Sequence, residues 1–337
     1  MKDIRAAARE RLKGWCRVCP VCDGRACAGE VPGMGGAGTG EAFKENVRAL
    51  NAVKLNLRTL HKATAPDCSV TLFGKTLALP VMGAPMAGVA FNLGGAMGEE
   101  ELAEALHRGC ADAGTLCWSG DGANPALYDT GLAAVRQHGN SGIPTIKPRG
   151  REEIIKRIRM AEDAGACAVA IDVDTAGFIN MTAQGAPVGP TDPADVAAIA
   201  ASTHLPVILK GVMTADEAVL AASLGVAGIV VSNHGGRVLD SCPGTAAVLG
   251  GIASAVKGGI TIIMDGGVRS GADVLKCLAL GADAVLVGRP LIPAAAGGGA
   301  RGVALALEAF KNGLLSAMLL TGAAKASRVP QRVIQTG

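Results

Sequence analysis

A chain of 337 residues is long enough for one large α/β barrel or two smaller domains, and 49% hydrophobic residues allow a sizeable core. Aromatic residues make up only 2%, so that core must be built from Ala, Val, Leu, Ile and Met, with 48 glycines letting backbones approach closely. The formal charge is only +3 and the basic residues are scattered, so neither nucleic acid nor an acidic membrane surface is implied as a partner.

Residues 1–14 are charged and helix-like with no apolar centre, unlike a secretory signal, so a cytoplasmic protein is expected. In a reducing compartment ten cysteines do not read as structural disulfides. Four of them, Cys16, Cys19, Cys22 and Cys27, fit C-x2-C-x2-C-x4-C. Thiolates at that spacing can converge on an iron-sulfur cluster or on zinc, with the compact run favouring the cluster; the alternative is four free thiols. A glycine-rich stretch, 29–40, follows, and its Gly33-Met34-Gly35-Gly36-Ala37-Gly38 lacks the preceding strand that a dinucleotide-binding turn requires. Residues 41–60 turn helical or irregular, which completes an N-terminal extension over 1–70. Residues 77–98 carry no charge up to Gly98, but Pro80, Pro85, Asn92 and several glycines suit a strand, a loop and the start of a helix better than a membrane span.

From about residue 71 to 337 one unit repeats, a short β-branched or apolar run followed by an amphipathic helical pattern. The runs are 78–82, 115–118, 143–147, 168–173, 206–210, 228–232, 260–264 and 284–287. Helical patterns include 99–111, 151–163, 214–223 and 271–280, with Thr214 and Asp216 placed as caps. Eight strand-helix units are the arithmetic of a closed TIM (β/α)8 barrel.

In such a barrel the reacting side chains sit at the C-terminal ends of the strands. Those ends carry Ala84-Pro85-Met86-Ala87, Ser119, Asp172 and Asp174, Lys210, then Ser232-Asn233-His234-Gly235-Gly236-Arg237, Asp265-Gly266-Gly267-Val268-Arg269 and Gly288-Arg289. Histidine exchanges protons near neutral pH, and arginine holds a carboxylate by two parallel hydrogen bonds. His234 and Arg237 therefore read as a base beside an anion clamp, with Asp174 fixing the imidazole and Lys210 stabilising negative charge. Amides at Gly266-Gly267 and Gly288-Arg289, with the Arg289 side chain, read as a phosphate cradle.

Four of these motifs, Ile208-Leu209-Lys210-Gly211, Val231-Ser232-Asn233-His234-Gly235-Gly236-Arg237, Asp265-Gly266-Gly267-Val268-Arg269-Ser270-Gly271 and Leu286-Val287-Gly288-Arg289-Pro290, resemble the FMN-dependent α-hydroxy acid oxidase and dehydrogenase family. The resemblance runs from about residue 71 onward. It implies FMN as cofactor, a small 2-hydroxy acid as substrate, an electron acceptor that the motifs do not specify, and a homotetramer or octamer. It implies further that His234 is the base, Asp174 its partner, Arg237 the carboxylate clamp and Lys210 a neighbour of the flavin ring. Ala84, Pro85, Met86, Ala87, Ser119, Asp172 and Ser232 match flavin contacts, and Asp265, Gly267, Arg269, Gly288 and Arg289 match ribityl and phosphate contacts.

The chain departs from that family's pattern at the substrate. Two active-site tyrosines have no counterpart, the sole tyrosine being Tyr128 in a helical stretch, and the third run ends in Ile146-Lys147-Pro148. The loop after strand 4, Ala176-Gly177-Phe178, lacks the usual arginine, and Asp172 stands where a threonine is common. Two other readings stay open: another FMN-barrel reaction such as type 2 isopentenyl diphosphate isomerisation, and a flavin- and metal-binding redox protein without a small substrate.

Overall fold

The eight apolar runs become eight parallel strands that close on themselves in the computed structural model, which describes residues 1–139 and 142–335; the last two residues of the expected barrel span lie outside them. A short antiparallel hairpin, β1 (Val70–Leu72) and β2 (Lys75–Leu77), leads into the barrel. The barrel strands are β3 (Val81–Met86), β4 (Cys117–Ser119), β5 (Gly142–Ile146), β6 (Val169–Asp172), β7 (Val207–Val212), β8 (Gly228–Val231), β9 (Thr261–Met264) and β10 (Ala284–Val287). Each pairs with the next, and β10 returns to β3. Strands β4, β5, β6, β8 and β10 are buried at every position, as expected where helices cover the outside and side chains fill the inside.

The expected runs and the strands agree within a few residues. The largest difference is the first, expected at 78–82 and found at Val81–Met86. Pro80 has no N–H to give a ladder, so residues 78–80 form the lead-in. Thr214 caps the helix Ala215–Ser223, its Oγ1 accepting from the Glu217 amide at 3.4 Å. Asp216 lies inside the first turn, where a negative charge suits the helix N-terminus.

The last helix, Leu291–Thr321, is long and apolar enough to cross a membrane by length and composition, with a mean hydropathy of 1.5. Here it is broken at Gly299 and packs along the barrel against the helices Glu99–Asp112 and Lys2–Arg11. A second N-terminal helix, Glu41–Ala52, packs on the turn after β8. Asn46 exchanges side-chain hydrogen bonds with Asn233 at 2.8 and 3.1 Å, and the Ala37 amide donates to the Gly236 carbonyl at 2.8 Å. The N-terminal segment thus reaches over the end of the barrel where the polar strand ends gather.

Candidate functional site

Lys147 follows β5, Asp172 ends β6 and Lys210 lies in β7. The pairing of Ile146 with Ile171 and of Asp172 with Lys210 sets all three at one level of the barrel. Asp172 accepts from Lys147 Nζ at 2.6 Å on Oδ2 and from Lys210 Nζ at 3.0 Å on Oδ1. The following 3₁₀ turn, Val173–Gly177, carries Asp174, whose Oδ1 lies 3.1 Å from His234 Nδ1. That same nitrogen is 3.4 Å from Lys210 Nζ and 3.4 Å from Asp172 Oδ1, while Asp265 Oδ2 stands 3.8 Å from Lys210 Nζ. The expected base, its partner and the expected flavin-side lysine therefore share one buried cluster, and Lys147 joins them.

Local backbone choices make this possible. A Cβ on Gly211 would lie 2.5 Å from Asp174 Cβ, and its φ of +114° disfavours any other residue; glycine here lets the carboxylate reach His234. After β8 the chain turns sharply through His234, Gly235 and Gly236, with φ of +56°, +65° and +80°. A left-handed histidine costs roughly 1 to 3 kcal/mol and persists only where neighbours over-determine it. Here the His234 amide donates to Ser232 Oγ at 3.0 Å, and Asn233 Oδ1 accepts from the Gly236 amide at 3.1 Å. The Phe178 ring meets the imidazole edge-on, centroids 5.5 Å apart.

Electrostatics separate the two acids. Burial opposes charge on Asp172, but Lys147, Lys210 and His234 outweigh it and hold that carboxyl well below the usual range. For Asp174 burial prevails over Lys210 and His234, and its carboxyl is raised. Burial likewise opposes the charge of Lys210, yet Asp172, Asp174 and Asp265 overcome it and strengthen its hold on the proton.

Three arginines line the same mouth. Arg237 Nη2 donates to Asn92 Oδ1 at 2.5 Å, while its Nε is buried without a hydrogen-bond partner among the described residues. Arg289 lies 3.8 Å over the Phe43 ring and donates to the carbonyls of Met34 and Gly35 at 2.9 and 3.3 Å. Arg269 donates from Nε to the Cys22 carbonyl at 3.0 Å, and its Nη2 is buried and unpartnered among the described residues. None of the three meets a carboxylate among those residues. Burial, then repulsion from Arg269 and Arg237, pushes the Arg289 guanidinium down to about 9. Half-buried cations with buried, unpartnered N–H groups among the described residues call for an anion, so this donor set fits the phosphate of FMN together with a substrate carboxylate. The half-buried Ala84, Pro85, Met86 and Ala87 supply a low wall: a Cβ on Gly288 would stand 3.6 Å from Ala84 and 3.7 Å from the Met86 sulfur. The residues present therefore fit FMN.

The other expected contacts take several places around the cluster. Ser119 is buried with its hydroxyl toward the outer helix Pro125–Gln137, 2.7 Å from where a Gly131 Cβ would stand, so its side chain does not join the cluster. Gly266 and Gly267 lie beneath Asn46 of the helix Glu41–Ala52. Asp265 keeps Oδ1 buried and unpartnered among the described residues, and Ser232 supports the His234 backbone. All four N-terminal cysteines are half-buried and free. The only group of three or more His, Cys, Asp or Glu ligand atoms within 4.8 Å of one another among the described residues is Asp172, Asp174 and His234. The thiols of Cys16, Cys19, Cys22 and Cys27 interact electrostatically with one another, but no three of them converge within 4.8 Å as a preformed zinc site would require.

Lys147, Asn92, Phe178 and Phe43 were not among the expected site residues. Only Lys147 carried a usable signal, a charge closing an otherwise apolar strand. The sequence profile of FMN-dependent dehydrogenases matches residues 33–186 and 180–336. The chain is 35% identical over 330 residues to a 4-hydroxymandelate oxidase of Amycolatopsis orientalis, spanning 86% of this chain and 88% of that protein. It is 33% identical to 2-hydroxyacid oxidase 2 of Bos taurus, spanning 86% and 89%. A crystal structure of mandelate oxidase superposes with a TM-score of 0.81 at 31% identity, covering 100% of this chain and 97% of that one.

Proposed function

Because this chain belongs to the FMN-dependent dehydrogenase family, whose members include 2-hydroxy acid oxidases and act as oxidoreductases on CH–OH groups, we propose that it oxidises a small L-2-hydroxy acid to the 2-oxo acid. FMN, when bound, supplies the acceptor for the electron pair. Nδ1 of His234 is engaged by Asp174 at 3.1 Å, which leaves Nε2 to face the substrate and take its proton. Asp174 and Asp172 then stabilise the imidazolium. Arg237, with its unpartnered Nε, holds the substrate carboxylate, and Asn92 orients the guanidinium from the other side. Lys210 keeps positive charge beside the flavin ring, and Arg269 and Arg289 hold the phosphate.

The observation that carries this reading is the pairing of an aspartate-held imidazole with three half-buried guanidiniums that meet no carboxylate among the described residues, all at one end of the barrel. An isoprenoid diphosphate would not call for an imidazole held in this way beside a separate guanidinium. The test is His234→Ala. FMN should remain bound, and anaerobic bleaching of the flavin by a 2-hydroxy acid should slow about 10²- to 10⁴-fold. Bleaching at the parent rate would refute the assignment.

A further inference from the structure

Resting on the reading that this mouth binds FMN and a 2-hydroxy acid, we propose that Lys147 is a positioning residue that acts through Asp172 to set how much of the positive charge on Lys210 remains available at the flavin. Asp172 has two oxygens and both are used. Lys147 takes Oδ2 at 2.6 Å, the shorter contact, and leaves Oδ1 to Lys210 at 3.0 Å and to the edge of His234 at 3.4 Å. Asp265, 3.8 Å from Lys210 Nζ, and Asp174 beside His234 add negative charge to the same cluster, so the Lys147 ammonium supplies one positive charge that partly offsets these acids. Without Lys147 the cluster loses one positive charge, and Asp172 is free to turn wholly onto Lys210 and to compete with Asp174 for His234 Nδ1.

Lys147 is built to hold this place. Its amide donates to Asp121 Oδ2 at 3.0 Å, and Asp121 is itself clamped by Arg149 and by Arg157, the latter at 3.3 Å. Its Nζ stands 5.0 Å from the centroid of Phe178, the ring that meets His234 edge-on. Its side chain is only 9% exposed, so water screens its charge little. Burying two lysines and one aspartate costs more than an apolar filling of the same volume would. A use for the added positive charge accounts for that arrangement: a flavin that accepts an electron pair grows more negative, and fixed charge nearby favours the reduced form without reorganisation.

The test is the two-electron midpoint potential of bound FMN in the parent, in Lys147→Met and in Lys147→Arg. The Met variant should shift the reduction equilibrium at least tenfold toward oxidised FMN, about 30 mV for a two-electron couple. The Arg variant, which keeps the charge, should stay within threefold of the parent. A lysine that only braced the fold would lower the melting temperature and leave the potential unmoved, and that result overturns the proposal. Should the Met variant fail to fold, Lys147→Gln, which keeps a hydrogen bond to Asp172 but no charge, gives the same readout. A parent chain that takes up no FMN refutes the cofactor reading; FMN bound with an unmoved potential refutes the role of Lys147 alone.

Discussion

Replacing Asp172 by Asn removes the one negative charge shared by Lys147 and Lys210 and keeps its shape. The side chains concerned are 3%, 9% and 3% exposed, so water cannot take the place of the carboxylate. At about 3 Å and an effective dielectric near 20, each ammonium contact is worth roughly 5 kcal/mol of Coulomb attraction, most of it offsetting desolvation. The asparagine oxygen can keep one lysine, but its amide group then faces the other. Breaking a buried pair in this way costs about 3 to 5 kcal/mol. Urea unfolding at pH 7, followed by circular dichroism, should show a loss of that size. The pH dependence follows from the sign of the shift. Asp172 is held well below its ordinary value near 3.8, so its contribution is complete above that pH and is lost as pH falls through the lower, folded value. The gap between parent and Asp172→Asn should stay level from pH 7 to about 4 and shrink below. A gap under about 1 kcal/mol at pH 7, or one that widens on acidification, would refute the charged triad.

Gly211→Ala places a methyl 2.5 Å from Asp174 Cβ at a φ of +114°, so it should pull Asp174 from His234 and slow substrate-driven flavin bleaching at least tenfold with FMN still bound; an unaffected rate would show that Asp174 does not position the imidazole. His107 is buried with neither ring nitrogen hydrogen-bonded among the described residues, and burial, with a smaller effect of His138, depresses it from 6.5 to about 4. The folded state then binds fewer protons than the unfolded chain, so stability falls as pH drops from about 6.5 through about 4, by up to about 3 kcal/mol. His107→Leu should remove that slope in urea midpoints measured across the window, and parallel pH profiles would count against a buried neutral histidine.

The barrel was legible because its determinant is local. Each strand is a short apolar run closed by glycine, proline or a polar residue, and parallel strands covered by helices demand such runs. The site was legible where a strand end carries its own meaning, as at His234, Lys210, Arg269 and Arg289. It was not legible where meaning comes from contact across the chain. Arg289 reaches the Met34 and Gly35 carbonyls from 255 and 254 residues away, and Asn46 reaches Asn233 from 187, with no periodicity to announce either. The cysteine spacing is incomplete for the complementary reason, since a ligand pattern along the chain does not fix where the sulfurs point.

Lys147 and Asp172 show how register joins what sequence leaves separate. Read along the chain, Asp172 is a departure from a common threonine, and Lys147 merely stands where a tyrosine was expected. Closed side by side on β5 and β6, they are one change. A carboxylate buried between Lys210 and the barrel wall offsets the charge of the lysine it touches, and a second ammonium on the neighbouring strand puts one positive charge back. The same reasoning orders the substitutions. Losing Lys147 alone should disturb the flavin more than the fold, losing Asp172 alone should disturb the fold more than the flavin, and replacing the two together by Gln and Thr should recover the part of the loss that comes from stranding Lys147, because Lys210 alone then remains, with Asp265 at 3.8 Å as its carboxylate.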